Sequence, residues 1–173
     1  MRQLVSIAGV VPDRWTCLSD MAGAHGRSGM PVTHLIVPWA EWQKAPAEWR
    51  ERAPNVGVSV AADTAFTALL PYLDRLTLIA IAFAGISEGR GYSLARQLRE
   101  RGHYRAELRA SGEIFRDHML FLARCGFDTF EIARRETPAG AFAALKSFTV
   151  AYQPLRTEPG SIALARRRIL PLN

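Results

Sequence analysis

The chain has 173 residues, 49% of them hydrophobic and 22% charged, a balance that suits one globular domain and excludes a disordered or fibrous chain. The formal net charge of +6 is uneven, because seven basic but two acidic residues lie from residue 134 onward, leaving the body nearly neutral and nucleic acid not expected as a partner. No apolar run reaches the roughly 18 residues that span a bilayer, and the first residues lack a signal-peptide profile, so the reading is a cytoplasmic protein with no membrane partner.

Residues 4–11 form an apolar run with β character, closed as a turn by Pro12 and Asp13. Glycines and a proline between residues 22 and 31 argue for a loop. Short apolar runs then alternate with longer helical patterns, which is the signature of β-α units on a parallel sheet. The predicted strands are 34–37, 56–60, 76–83, 106–110 and 129–132. Between them a first helix spans 40–52, with Pro46 interrupting its middle, and a second spans 65–73, capped by Asp63 or Thr64 and ended or kinked by Pro71. A third runs over 93–101 and stops at Gly102; a fourth runs over 113–125 and stops at Gly126. A further helix over 139–148 leads into a tail rich in proline and arginine.

The expected fold class is therefore α/β, with alternating β-α units and a mainly parallel sheet of about five strands, either an open sheet or a partial barrel. A short N-terminal strand precedes it and a basic C-terminal tail follows. Residues 1–173 read as a single α/β domain, divided into a lead-in strand and loop (1–31), an α/β body (32–152) and a tail (153–173). A partial barrel would leave sheet edges that a second copy could cover, hence an expected homodimer.

Parallel sheets place working residues in the loops at the carboxyl ends of their strands. That rule selects Asp63, the segment from residue 85 to 93, Arg109 with Ser111 and Glu113, and the residues after Ile132. Glu88-Gly89-Arg90-Gly91-Tyr92-Ser93 is the most informative stretch. Its glycines allow close backbone approach, Ser93 can cap the following helix, and Arg90 can hold a planar oxyanion. The same residues also suit a plain strand-to-helix turn in which Arg90 pairs with Glu88 or Glu113. The candidate ligand-binding residues are Glu88, Gly89, Arg90, Gly91, Tyr92, Ser93, Arg109 and Glu113. Gly89 to Leu94 matches a dinucleotide fingerprint except at its last position, where Leu94 replaces a small residue, and no cofactor is detectable.

His25, His34, His103 and His118 have no second ligand at metal spacing, so no metal is expected, and His118 does not pair with its neighbour Asp117. Cys17 and Cys125 lie far apart without a CxxC pair, which excludes a disulfide framework and a four-thiolate cluster. Cys125, at a helix end beside Gly126, reads as a buried structural thiol. Trp39, Trp42 and Trp49 suit either a partner-binding face or packing of the first helix onto the sheet. No catalytic residue is assigned.

The residues Gly89-Arg90-Gly91-Tyr92-Ser93-Leu94-Ala95-Arg96, then Leu98-Arg99-Glu100-Arg101, Glu107-Leu108-Arg109-Ala110, Arg116-Asp117 and Arg124-Cys125-Gly126-Phe127-Asp128 resemble a bacterial domain-of-unknown-function family. Its members carry an oxidoreductase label tied to sulfite reduction and are associated with assimilatory sulfate-reduction genes. A weaker echo covers Asp13-Arg14-Trp15-Thr16. The chain departs from the pattern at Phe83-Ala84-Gly85-Ile86-Ser87, at Glu113 and at His118. The resemblance implies a role beside sulfite reductase or another sulfur-assimilation enzyme, as an accessory protein; the residues themselves offer no redox centre. An oxyanion- or nucleotide-binding enzyme or sensor using the loop from Glu88 to Ser93 is the alternative.

Overall fold

A computed structural model describes residues 3–22, 32–85 and 88–146. The predicted glycine-rich loop, apart from its first residue, lies outside them, with His25 and the expected tail. The 4–11 run is a hairpin, β1 (Leu4–Ser6) and β2 (Gly9–Val11), followed by the two-residue strand β3 (Thr16–Cys17) and the short helix α1 (Leu18–Ala22). Strand β4 (His34–Pro38) comes next. The single helix expected over 40–52 is two, α2 (Trp39–Trp42) and α3 (Pro46–Arg52), because Pro46 cannot donate an internal hydrogen bond and instead occupies the first turn of the second.

After β5 (Asn55–Ala61), α4 (Phe66–Leu69) tightens into a 3-10 turn over Leu70–Arg75, where Pro71 again removes a donor. Then follow β6 (Leu78–Phe83), α5 (Gly89–Glu100), β7 (Glu107–Ile114), α6 (Arg116–Arg124), β8 (Thr129–Ile132) and α7 (Pro138–Lys146). Strand β7 runs four residues further than predicted and takes Glu113 out of the helix. It does so through a register shift against β8 at which Gly112 adopts φ 110°. A side chain there would collide with the Phe83 carbonyl oxygen, so the shift requires glycine.

The eight strands form one curled, mostly parallel half-barrel sheet in the order β2-β1-β8-β7-β6-β5-β4-β3. Strands β3 to β8 are parallel and in sequence order; β1 runs antiparallel to β8 and to β2. Five of the strands correspond to the predicted ones, and the hairpin and β3 extend the sheet at its two edges. Crossovers of one hand between successive parallel neighbours put the helices on one face.

Closure follows from chain length. Seven strand spacings of about 4.8 Å would put β2 and β3 roughly 34 Å apart in a flat sheet. The five peptide steps from Val11 to Thr16 reach at most about 18 Å, so the sheet must curl.

Side chains alternate between the faces. Val37, Val58, Val60, Ile79, Ile81, Leu108, Ala110 and Phe130 point outward and meet Leu69, Leu94, Leu98, Met119 and Leu122 of the helices in the main core. Each such large apolar side chain contributes about 1.5–3 kcal/mol on burial. Trp42 belongs to this core and stands edge-on to Tyr72, as does Trp39, while the Trp49 indole donates to the Glu41 carbonyl at 3.1 Å. Packing thus accounts for Trp39 and Trp42, and Trp49 packs against the edge of the same core.

Candidate functional site

The carboxyl ends of β5 and β6 open into a groove of about 960 Å³ between the turn at Asp63 and the start of α5. Asp63, Thr64, Glu88, Gly89, Arg90, Ser93 and Gln97 line it, with the Phe66 ring at one side. Strand β6 ends against β5 and β7, both parallel to it, so the connections leaving β5 and β6 emerge at one edge and their side chains meet.

Arg90 spans this groove. Its Nη2 donates to Glu88 Oε1 at 2.9 Å, and its Nη1 lies 3.5 Å from Asp63 Oδ2. Glu88 is fixed in turn, because its other oxygen accepts the Ala84 backbone N–H at 3.2 Å. One guanidinium therefore faces two carboxylates among the described residues. Both partners foreseen in the turn reading were carboxylates; Glu88 is one, and Asp63 takes the place expected of Glu113.

The glycines do different work from that predicted. Helix α5 begins at Gly89, so both glycines are helical, and Ser93, expected to cap the helix, sits inside its first turns with its hydroxyl donating back to the Gly89 carbonyl at 3.4 Å. Among the described residues, no side-chain hydrogen bond caps this helix. Gly91 lets α5 lie against β6, since a Cβ there would stand 2.6 Å from the Phe83 ring, whereas a Cβ on Gly89 would meet open space. Tyr92 turns away from the groove and packs, with tilted rings, between Phe83 (5.2 Å) and the exposed Phe121 (5.0 Å). Burial raises the Tyr92 phenol, and the nearby Cys125 adds to the rise.

Arg109 and Glu113 are not part of the groove. Arg109 pairs in register with Ala80 and Thr129, on the concave face, and is 1% exposed. Glu113 lies within the register shift near the end of β7 and is exposed. The predicted strand stops at Ala110, which sets Arg109 beside its carboxyl end and Glu113 at the start of the following helix, whereas β7 runs on to Ile114. Ser111, grouped with them, donates to the Ile81 carbonyl at 3.4 Å. His118 Nδ1 stands 3.6 Å from Asp117 Oδ1, an ion-pair approach if the ring is protonated but too long for a hydrogen bond.

Sequence reasoning passed over a second cluster, on the concave face, made of Asp13, Trp15, Glu107, Arg109 and Thr129. A signal was present: Glu107, Arg109 and Ser111 alternate with Leu108 and Ala110, which marks one polar face of a strand. Cys17 also lies on this face, packed near Ile36 and Leu78, while Cys125 is buried under the helices. Among the described residues, no three of His, Cys, Asp and Glu converge to hold a metal ion, and no helix is long and apolar enough to cross a membrane.

A family model described as a bacterial protein of unknown function (DUF934) matches residues 57–162, a stretch that contains the whole groove. No curated protein matches the chain.

Proposed function

The chain belongs to this bacterial family of unknown function, DUF934, and from that premise we propose that it serves assimilatory sulfite reduction as an accessory protein, acting with a sulfite reductase and not through a redox centre of its own. The observation that carries this reading is the orientation of the motif on which the resemblance rests. Glu88, Arg90 and Ser93 line an open groove, and the charged groups engage one another and Asp63. A guanidinium held between carboxylates suits recognition of a partner's polar groups; it supplies neither an activated nucleophile nor a poised base. The placement of the cysteines supports the same reading, because thiols on opposite faces of the sheet cannot form a disulfide within one chain.

The test is co-expression of the tagged chain with the assimilatory sulfite reductase of the same bacterium. The reductase is expected to be retained by the wild type and lost from Arg90→Ala. A wild-type chain that retains no reductase overturns the proposal.

A second reading, an oxyanion or nucleotide bound in the groove, is favoured by the start of α5, which no described side chain caps, and by the open space above Gly89. Thermal-shift titrations with sulfite, phosphate, NADPH and FMN test it. A rise in melting temperature that disappears in Arg90→Ala supports it, since a ligand that binds the folded state stabilises that state.

A further inference from the structure

The polar cluster on the concave face ties down the segment that crosses it. Asp13 Oδ1 accepts from Arg109 Nη1 at 3.0 Å and from the Trp15 backbone N–H at 3.1 Å. Glu107 Oε1 accepts from Arg109 Nη2 at 3.0 Å and from the Thr129 hydroxyl at 2.7 Å, while Oε2 accepts from the Trp15 indole at 3.2 Å. The indole stands edge-on to His34, 5.1 Å between centroids, and packs on Ile36, Leu78 and Ala80.

Three features make this crossing separable from the rest. It joins β2, of three residues, to β3, of two, and these are the outermost strands of the sheet. Trp15 and Cys17 rest on a small apolar cluster of their own, distinct from the core under the helices. The polar groups that hold it face the concave side, so releasing it removes no helix from the sheet. Segments resting on few apolar contacts open at lower free energy than the core.

We propose that residues 12–17 form a clasp that opens as a unit while the helical layer stays folded, with the Asp13 carboxylate on Arg109 as its latch. Closed, the clasp spans the half-barrel and covers the Arg109 guanidinium together with an apolar slot filled by the indole. Open, it exposes both and releases the constraint on sheet curvature.

Native-state hydrogen exchange on the full chain, followed by mass spectrometry in a series of low denaturant concentrations, tests this. In the wild type, residues 12–17 are expected to exchange faster than β6 and with little dependence on denaturant, the mark of local opening. Asp13→Asn is expected to accelerate their exchange by roughly tenfold or more, as loss of a charge-assisted hydrogen bond implies, and to leave β6 unchanged. Exchange of residues 12–17 in step with β6 in the wild type overturns the clasp. Unchanged exchange in Asp13→Asn overturns the latch. Should Asp13→Asn fail to fold, the wild-type series decides the first point, and Trp15→Phe, which keeps a ring and the carboxylate, decides whether the latch holds the segment without the indole hydrogen bond.

Discussion

Arg99 on α5 pairs with Asp128, just before β8, and the same guanidinium donates to the carbonyl oxygens of Gly126 (2.9 Å), Tyr104 (2.7 Å) and Ala106 (2.9 Å). Asp128 also accepts the Leu108 backbone N–H at 2.8 Å. One side chain thus joins the end of α5, the turn before β7 and the turn before β8. Arg99→Met leaves these carbonyls without their donor and Asp128 without its cation, and is expected to cost about 2–4 kcal/mol. Urea denaturation measures it, with Arg99→Lys recovering only part because an ammonium cannot reproduce the planar fork.

The two motif glycines should respond in opposite directions. Gly91→Ala drives a methyl into the Phe83 ring and is expected to destabilise by about 1–3 kcal/mol. Gly89→Ala places its methyl in open space at a helical position and is expected to stabilise by about 0.5–1 kcal/mol. Thermal denaturation of the pair separates steric need from helix propensity.

Arg90 and Asp63 are exposed, with side chains 66% and 54% accessible. Arg90→Ala should therefore change stability by no more than about 0.5 kcal/mol. An unaltered denaturation midpoint, checked before any binding assay, makes the variant a clean probe of the groove.

Burial holds the Tyr104 phenol far above its ordinary value of 10.0; Arg99 pulls it down, and Glu107 and Asp128 push it further up. The phenol stays protonated in the folded protein at pH values where the unfolded chain ionises. Its contribution is therefore complete below about pH 10 and declines as pH rises beyond that. Melting temperatures measured up to pH 11 should fall less steeply in Tyr104→Phe, although that variant starts lower through loss of the 3.1 Å hydrogen bond to the Leu76 carbonyl.

Burial also raises the Cys125 thiol, against the opposing pull of Arg96 and Arg124. In the folded protein a thiol reagent should modify Cys17, which is half-buried, well before Cys125. Cys17→Ser should abolish the fast phase, and denaturant should restore reaction at Cys125.

The β-α rhythm was legible because its signals are short-range. Runs such as Leu78–Phe83 and the stops at Gly102 and Gly126 are read within one element. The groove was legible in part: Asp63, Glu88 and Arg90 emerged from the rule that strand carboxyl ends carry the site. Ser93 was misplaced because nothing in the sequence marks Gly89 as helical; it becomes so when Gly91 seats α5 on Phe83.

By itself, the sequence determined the class of fold, the alternating elements and the loop that borders the groove, since each depends on periodicity and on backbone preferences over a few residues. Only the tertiary structure decided what covers Arg109. Its partner Asp13 lies 96 residues away, and the two meet because a four-residue crossing between opposite edges forces the sheet to curl. No local pattern encodes that closure; it follows from how far a short chain can reach across eight strands.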